Sequence, residues 1–148
     1  MKKLALLSLG AVLLSGCASE PQVWKQTQQV SIAQTSIELN SKLWRNKMPT
    51  IGEVQESTLH GALYLESDQT LPAQLDVESI VLKQGQESWQ IDSDLLDLRT
   101  HNQNQWEVAF VWRIDVDIEQ TVDIAIEINV DDQVEWLVEQ DVKIDTVY

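Results

Sequence analysis

Trp106, Val108, Phe110, Trp112, Ile114, Val116 and Ile118 occupy every second position of one stretch, with Glu107, Ala109, Val111, Arg113, Asp115, Asp117 and Glu119 between and after them. Successive side chains of an extended chain point to opposite faces, so a period of two predicts a strand with one buried face. The pattern returns in Val122, Ile124, Ile126, Ile128 and Val130, and then in Val134, Trp136, Val138, Val142 and Ile144 with Gln140 interrupting. The breaks Glu119-Gln120-Thr121 and Asp131-Asp132-Gln133 are hairpin-sized, which predicts an antiparallel meander of three strands.

Register follows from parity. Keeping even-numbered residues on one face requires loops with an odd number of residues, and three-residue loops place Arg113 opposite Glu127 and Asp117 opposite Asp123. The first pair is worth about 0.2–1 kcal/mol and the second is mildly repulsive. Neither break offers Gly or Asn for a left-handed position, which favours longer turns, and the pairing is void if consecutive strands lie in different sheets.

Upstream, Leu59, Gly61, Leu63 and Leu65 alternate, Ile37, Leu39 and Leu43 suggest another strand, and Glu87 to Ile91 a short one. Leu75, Val77, Ser79 and Val81 alternate until Ile80 and Leu82 blur the face. Gly85 marks a turn, and Asp94 to Leu98 suits one helical turn. About seven or eight short strands and no amphipathic helix predict an all-β, antiparallel β-sandwich, immunoglobulin-like by preference, with a small β-barrel as second choice.

The chain opens differently. Lys2 and Lys3 precede an apolar run from Leu4 to Leu14, too short for the roughly 20 residues of a membrane span but right for a secretory signal. The run ends in Leu14-Ser15-Gly16-Cys17, which resembles the lipobox of bacterial lipoprotein precursors. The resemblance covers residues 1–17 alone. It implies cleavage between Gly16 and Cys17, acylation of the Cys17 thiol and amine, and anchoring by several acyl chains at about 0.8 kcal/mol per buried methylene. Ala18 stands where an Asp would signal inner-membrane retention, so the resemblance implies the outer membrane, with the domain facing the periplasm. The expected organisation is residues 1–16 as signal peptide, 17–29 as lipidated cysteine and tether, and 30–148 as one domain.

Removing residues 1–16 takes away two bases and no acid, leaving eight bases against 24 acids and a formal charge of −16. Phosphate recognition needs Lys and Arg to displace counterions, so nucleic acid is excluded as a partner. Cys17 is the only cysteine. The fold therefore stands without disulfides.

Catalytic signatures are lacking: His60 and His101 are the only histidines, and neither a Gly-x-Ser-x-Gly elbow nor a phosphate-binding glycine loop occurs. Asp92-x-Asp94-x-x-Asp97 resembles the start of a calcium loop but lacks the following ligands and fits a turn better. No catalytic residue, metal site or cofactor is assigned. The meander places Asp115, Asp117, Glu119, Asp123, Glu127, Asp131, Glu135, Glu139, Asp141 and Asp145 on one acidic outer face, together with an apolar spot of Ala109, Val111, Ala125 and Leu137. Of six tryptophans, Trp106, Trp112 and Trp136 share the core parity, leaving Trp24 and Trp44 as the exposed aromatics. Val111, Leu137, Ala109, Ala125 and Trp44 are the candidate partner-binding residues, for an envelope protein as partner. The alternative is a periplasmic ligand or cation binder that uses the acidic face or the exposed tryptophans.

Overall fold

The computed structural model describes residues 22–46, 58–114 and 116–147. Within them the alternation resolves into ten strands: β1 (Gln29–Ile32), β2 (Thr35–Asn46), β3 (Leu59–Glu66), β4 (Asp76–Gln84), β5 (Glu87–Asp92), β6 (Asp97–Asn102), β7 (Gln105–Trp112), β8 (Val122–Val130), β9 (Gln133–Val142) and β10 (Ile144–Val147). A six-stranded sheet has the order β1-β2-β3-β7-β6, with β10 also on β2, and a four-stranded sheet has the order β5-β4-β8-β9. All pairs are antiparallel except β10 with β2. The result is a β-sandwich and not a closed barrel. Setting β1 and β10 aside, the orders β2-β3-β7-β6 and β5-β4-β8-β9 match the A-B-E-D and C′-C-F-G sheets of an immunoglobulin-type sandwich.

The core lies between the sheets. Leu39, Leu63 and Leu65 from the larger sheet meet Ile80, Leu82, Ile124 and Ile126 from the smaller, all fully buried. Burial of each such side chain is worth about 1.5–3 kcal/mol. Without disulfides among the described residues, this apolar layer is the main source of cohesion.

Three expectations about the carboxyl half are corrected. First, the stretch from Trp106 to Ile118 is not one strand. β7 ends at Trp112, opposite Leu59, where β3 begins, so its ladder has no neighbour to continue on. Ile114 and Val116 remain buried in a crossover to the other sheet. Alternation there records burial at the end of the sandwich, not pairing. The side-chain amide of Gln84 pins this crossover, donating to the Asp117 carbonyl and accepting from the Asp117 N–H, each at 2.8 Å.

Second, β7 and β8 lie in different sheets, so neither Arg113 with Glu127 nor Asp117 with Asp123 forms a cross-strand pair. Third, the β8–β9 turn is shorter than expected. Asp131 and Asp132 alone form it, at φ of 50° and 66°, because Asp tolerates the left-handed region that a primed two-residue turn demands. A two-residue loop pairs even with odd positions, so Ile126 faces Leu137 and Glu127 faces Trp136. The faces of β9 are therefore the reverse of those expected. Leu137 fills the core and Trp136 lies on the outer side.

The blurred parity of residues 75–82 also has a local cause. The β4–β8 register shifts between Val77 and Ser79, and the irregularity turns Ile80 and Leu82 inward. At the far end of β9, Asp141 has a φ of 58°, and the register with β8 again slips by one residue. That bulge redirects the chain into β10 of the opposite sheet. Gly85 forms the β4–β5 turn as expected, at a φ of 59°, and the helical turn is a 3-10 turn at Ser93–Leu95.

Residues 22–28, assigned to the tether from sequence, run along the sandwich. Gln22–Lys25 is a 3-10 turn, the Val138 N–H donates to the Thr27 carbonyl at 2.9 Å, and the Leu39 N–H to the Gln28 carbonyl at 2.8 Å. Lys83 Nζ lies 5.5 Å from the Trp24 ring centroid, and the Gln140 amide donates to the Trp24 carbonyl at 3.4 Å. These partners flank β8, so the turn lies over its outer face.

Candidate functional site

The outer face of the six-stranded sheet carries a concave, partly apolar surface. Core positions on β3 and β7 are Leu59, Leu63, Val108 and Phe110, so the alternate positions project outward in cross-strand rows. Trp44, His60 and Val111 form the first row, Lys42, Ala62, Ala109 and Asp97 the second, and Asn40, Tyr64, Glu107 and Arg99 the third. The alanines of the middle row are small, which leaves a trough of about 390 Å³ between the two outer rows. Leu95 from the 3-10 turn and Val111 wall one end of it and are 50% and 59% exposed.

Trp44 and His60 stack across β2 and β3, with ring centroids 5.6 Å apart and planes 14° from parallel. The opposite wall is polar and highly connected. Glu107 is only 7% exposed although it sits on the outer face. Arg99 Nη1 donates to its Oε2 at 3.3 Å, and His101 Nε2 shares a hydrogen bond with its Oε1 at 2.9 Å. Burial, reinforced by the charge of Glu107 and by hydrogen bonding toward its carboxylate, holds the Tyr64 phenol above its ordinary value of 10.0. Lys42 Nζ caps the other side of the Tyr64 ring, 5.6 Å from its centroid.

Two donors, Arg99 and His101, converge on Glu107, and Arg99 and Glu107 together line this side of the trough. At the far end of the same face a second depression of about 380 Å³ is polar, lined by Glu38, Glu66, Asp68 and neighbouring amides. Among the described residues no group of three His, Cys, Asp or Glu side chains is placed to hold a metal ion. Asp92 ends β5 before the 3-10 turn, and its side chain makes no capping hydrogen bond to that turn.

The five candidate partner-binding residues divide. Trp44, Ala109 and Val111 meet in the trough. Leu137 and Ala125 do not join them: Leu137 is 0% exposed in the core, and Ala125 is buried on the outer side of the smaller sheet, facing Val81 and Val138 across the ladder. The apolar spot expected on one meander face is thus split between two sheets. The acidic face is divided as well, because Glu135 and Glu139 share the inward parity of Leu137 while Asp123 and Glu127 point outward. Asp115, Cys17 and Gly16 lie outside the described residues.

Tyr64, Arg99, Glu107 and Leu95 were not singled out from sequence, and His101 was noted only as one of two histidines. Arg99 and His101 two apart on one strand, with Glu107 on the next, are a readable signal once a hairpin through Gln103-Asn104 is drawn. Leu95 carries none, since its exposure depends on the 3-10 turn that joins the sheets. The chain matches no family model, no curated protein and no solved structure.

Proposed function

We propose that this is a lipid-anchored lipoprotein of the outer membrane, acylated at Cys17, whose sandwich stands in the periplasm as a non-enzymatic interaction module. The trough on the larger sheet is its binding surface for an envelope protein. The observation that carries the reading is the meeting of Trp44, Ala109, Val111 and Leu95 in one concave apolar surface beside the polar side chains of Asp97, Arg99 and Glu107. Exposed apolar groups gathered in a concavity and rimmed by charge are what a protein contact requires. The lipobox supplies the address, and the acidic surface suits a domain held off anionic headgroups.

Two measurements test it. Wild type partitions into detergent with the membranes, whereas Cys17→Ala leaves an uncleaved or soluble precursor; identical fractionation of the two removes the anchor. A photocrosslinking residue at Val111 forms a discrete adduct with one envelope protein, and the same residue at exposed Ser88 does not. Adducts that are absent, or equal at both positions, remove the interaction module.

The polar depression beside Glu38, Glu66 and Asp68 favours a second reading, a periplasmic ligand or cation binder. Calorimetry with calcium, copper and short glycans separates the two. Saturable binding that Glu66→Gln weakens, without a Val111 adduct, supports the second.

A further inference from the structure

We infer that two copies of this chain associate through the free edge of β6, joining their six-stranded sheets across a two-fold axis. The inference stands on the edge and not on the lipid anchor, and Asp97 and Arg99, which it uses, also line one side of the trough.

Among the described residues β6 pairs only with β7, and all six of its residues are exposed. At the other end of the same sheet β1 and β10 share β2 and are short, four residues each, and the β9 edge is engaged by the Thr27 carbonyl. The longer open edges are β5 and β6, six residues each. β5 carries Glu87 and Asp92 and no base, so two copies of it repel. Natural sheets commonly guard an open edge in this way. β6 is not guarded. In a chain of formal charge −14 it pairs one acid, Asp97, with one base, Arg99, and between them sets Leu98, 40% exposed.

The order Asp97-Leu98-Arg99 is self-complementary in an antiparallel register. A two-fold axis through Leu98 places Leu98 opposite Leu98 of the second copy, and Asp97 opposite Arg99 of the second copy in both directions. Directly opposed residues share a face, so the opposite charges meet. Arg99 Nε already donates to Asp97 at 3.0 Å, on side chains 58% and 65% exposed, and its Nη1 to Glu107 at 3.3 Å, so the second copy adds its own Asp97 as a further partner of each guanidinium. The axis also covers Leu98. Six residues pair over too little area for a permanent dimer, so the association is reversible.

Disulfide trapping in the full chain tests this. Directly opposed Cα atoms lie about 4.5–5.5 Å apart, within reach of a disulfide. Leu98→Cys therefore yields a covalent dimer under mild oxidation. Thr100→Cys, two residues off the axis and about 13 Å from its counterpart, yields none above the background that Cys17 sets in the unsubstituted chain. Asp97→Arg in the Leu98→Cys chain, which leaves the Arg99–Glu107 pair in place, lowers the yield severalfold while the thermal midpoint stays that of the Leu98→Cys chain, which separates loss of pairing from loss of folding. The inference is overturned by no dimer from Leu98→Cys, by equal dimer at both positions, by an adduct with a different protein, or by charge changes without effect.

Discussion

Glu139 on β9 accepts the backbone N–H of Ser41 on β2 at 2.7 Å, a hydrogen bond that joins the two sheets. β1 covers β2 from Thr35 to Glu38 and β10 covers it from Leu43 onward, so the stretch between them, paired with β3 on one side, lacks a strand neighbour on the other. A carboxylate from the opposite sheet and the Gln28 backbone and side chain fill that gap. Glu139 reaches it because the two-residue turn at Asp131-Asp132 sets odd positions of β9 inward.

Removing that carboxylate leaves a part-buried N–H without its partner. Glu139→Ala is expected to cost about 1–3 kcal/mol, and Glu139→Gln, which keeps an acceptor oxygen, distinctly less. Urea unfolding of the two variants checks this. Equal losses would mean that the interaction is electrostatic and not a matter of acceptor geometry.

Gly61 sits under Phe110 on the core side of β3, and a Cβ there would overlap the phenyl ring. Gly61→Ala is expected to cost about 1–3 kcal/mol through overpacking. Phe110→Ala alone is expected to cost about 3–5 kcal/mol as a buried aromatic. The double variant loses less than the sum, because the missing ring makes room for the new methyl. Strict additivity in denaturant melts would contradict the contact.

The β1–β2 turn holds Ala33 and Gln34 at φ of 51° and 65°. Residues with a Cβ pay about 1–2 kcal/mol each in this region, and Asn-Gly is the preferred pair for such a turn. Ala33→Asn with Gln34→Gly is expected to stabilise the fold by about 1 kcal/mol. A thermal midpoint that stays level or falls refutes the turn assignment.

The Tyr64 phenol is held above its ordinary value, first by burial and then by Glu107. A group whose value is raised on folding contributes stability that is complete below its unfolded value, about 10 for tyrosine, and is lost as pH rises through the folded value. Stability of wild type is therefore expected to fall more steeply as pH rises above about 10 than that of Tyr64→Phe. Parallel curves would sink the assignment. Glu107→Gln lowers the Tyr64 titration, which ultraviolet absorbance of the tyrosinate reads directly.

Alternation along 106–118, 122–130 and 134–144 determined by itself that the chain is all-β, and the turn at Gly85 and the pairing of β8 with β9 were legible in the same pattern. Period two reports which residues are buried, and burial is a property each residue carries in its own hydropathy. Which sheet a strand joins is not such a property. Ile114 and Val116 are as apolar as Val108 and Phe110, yet only the latter pair with a neighbour, because β3 begins at Leu59. The faces of β9 hung on one residue of turn length, and Asp131-Asp132 fit a two-residue turn that Gly-based reasoning passes over. That single step moved Leu137 into the core and Glu139 onto β2. The trough likewise exists only in the folded chain, since β2, β3, β7 and the 3-10 turn before β6 bring Trp44, His60, Val111 and Leu95 together from distant positions. Local composition sets burial and turn preference, whereas register and sheet membership are settled by long-range pairing that no short window of sequence contains.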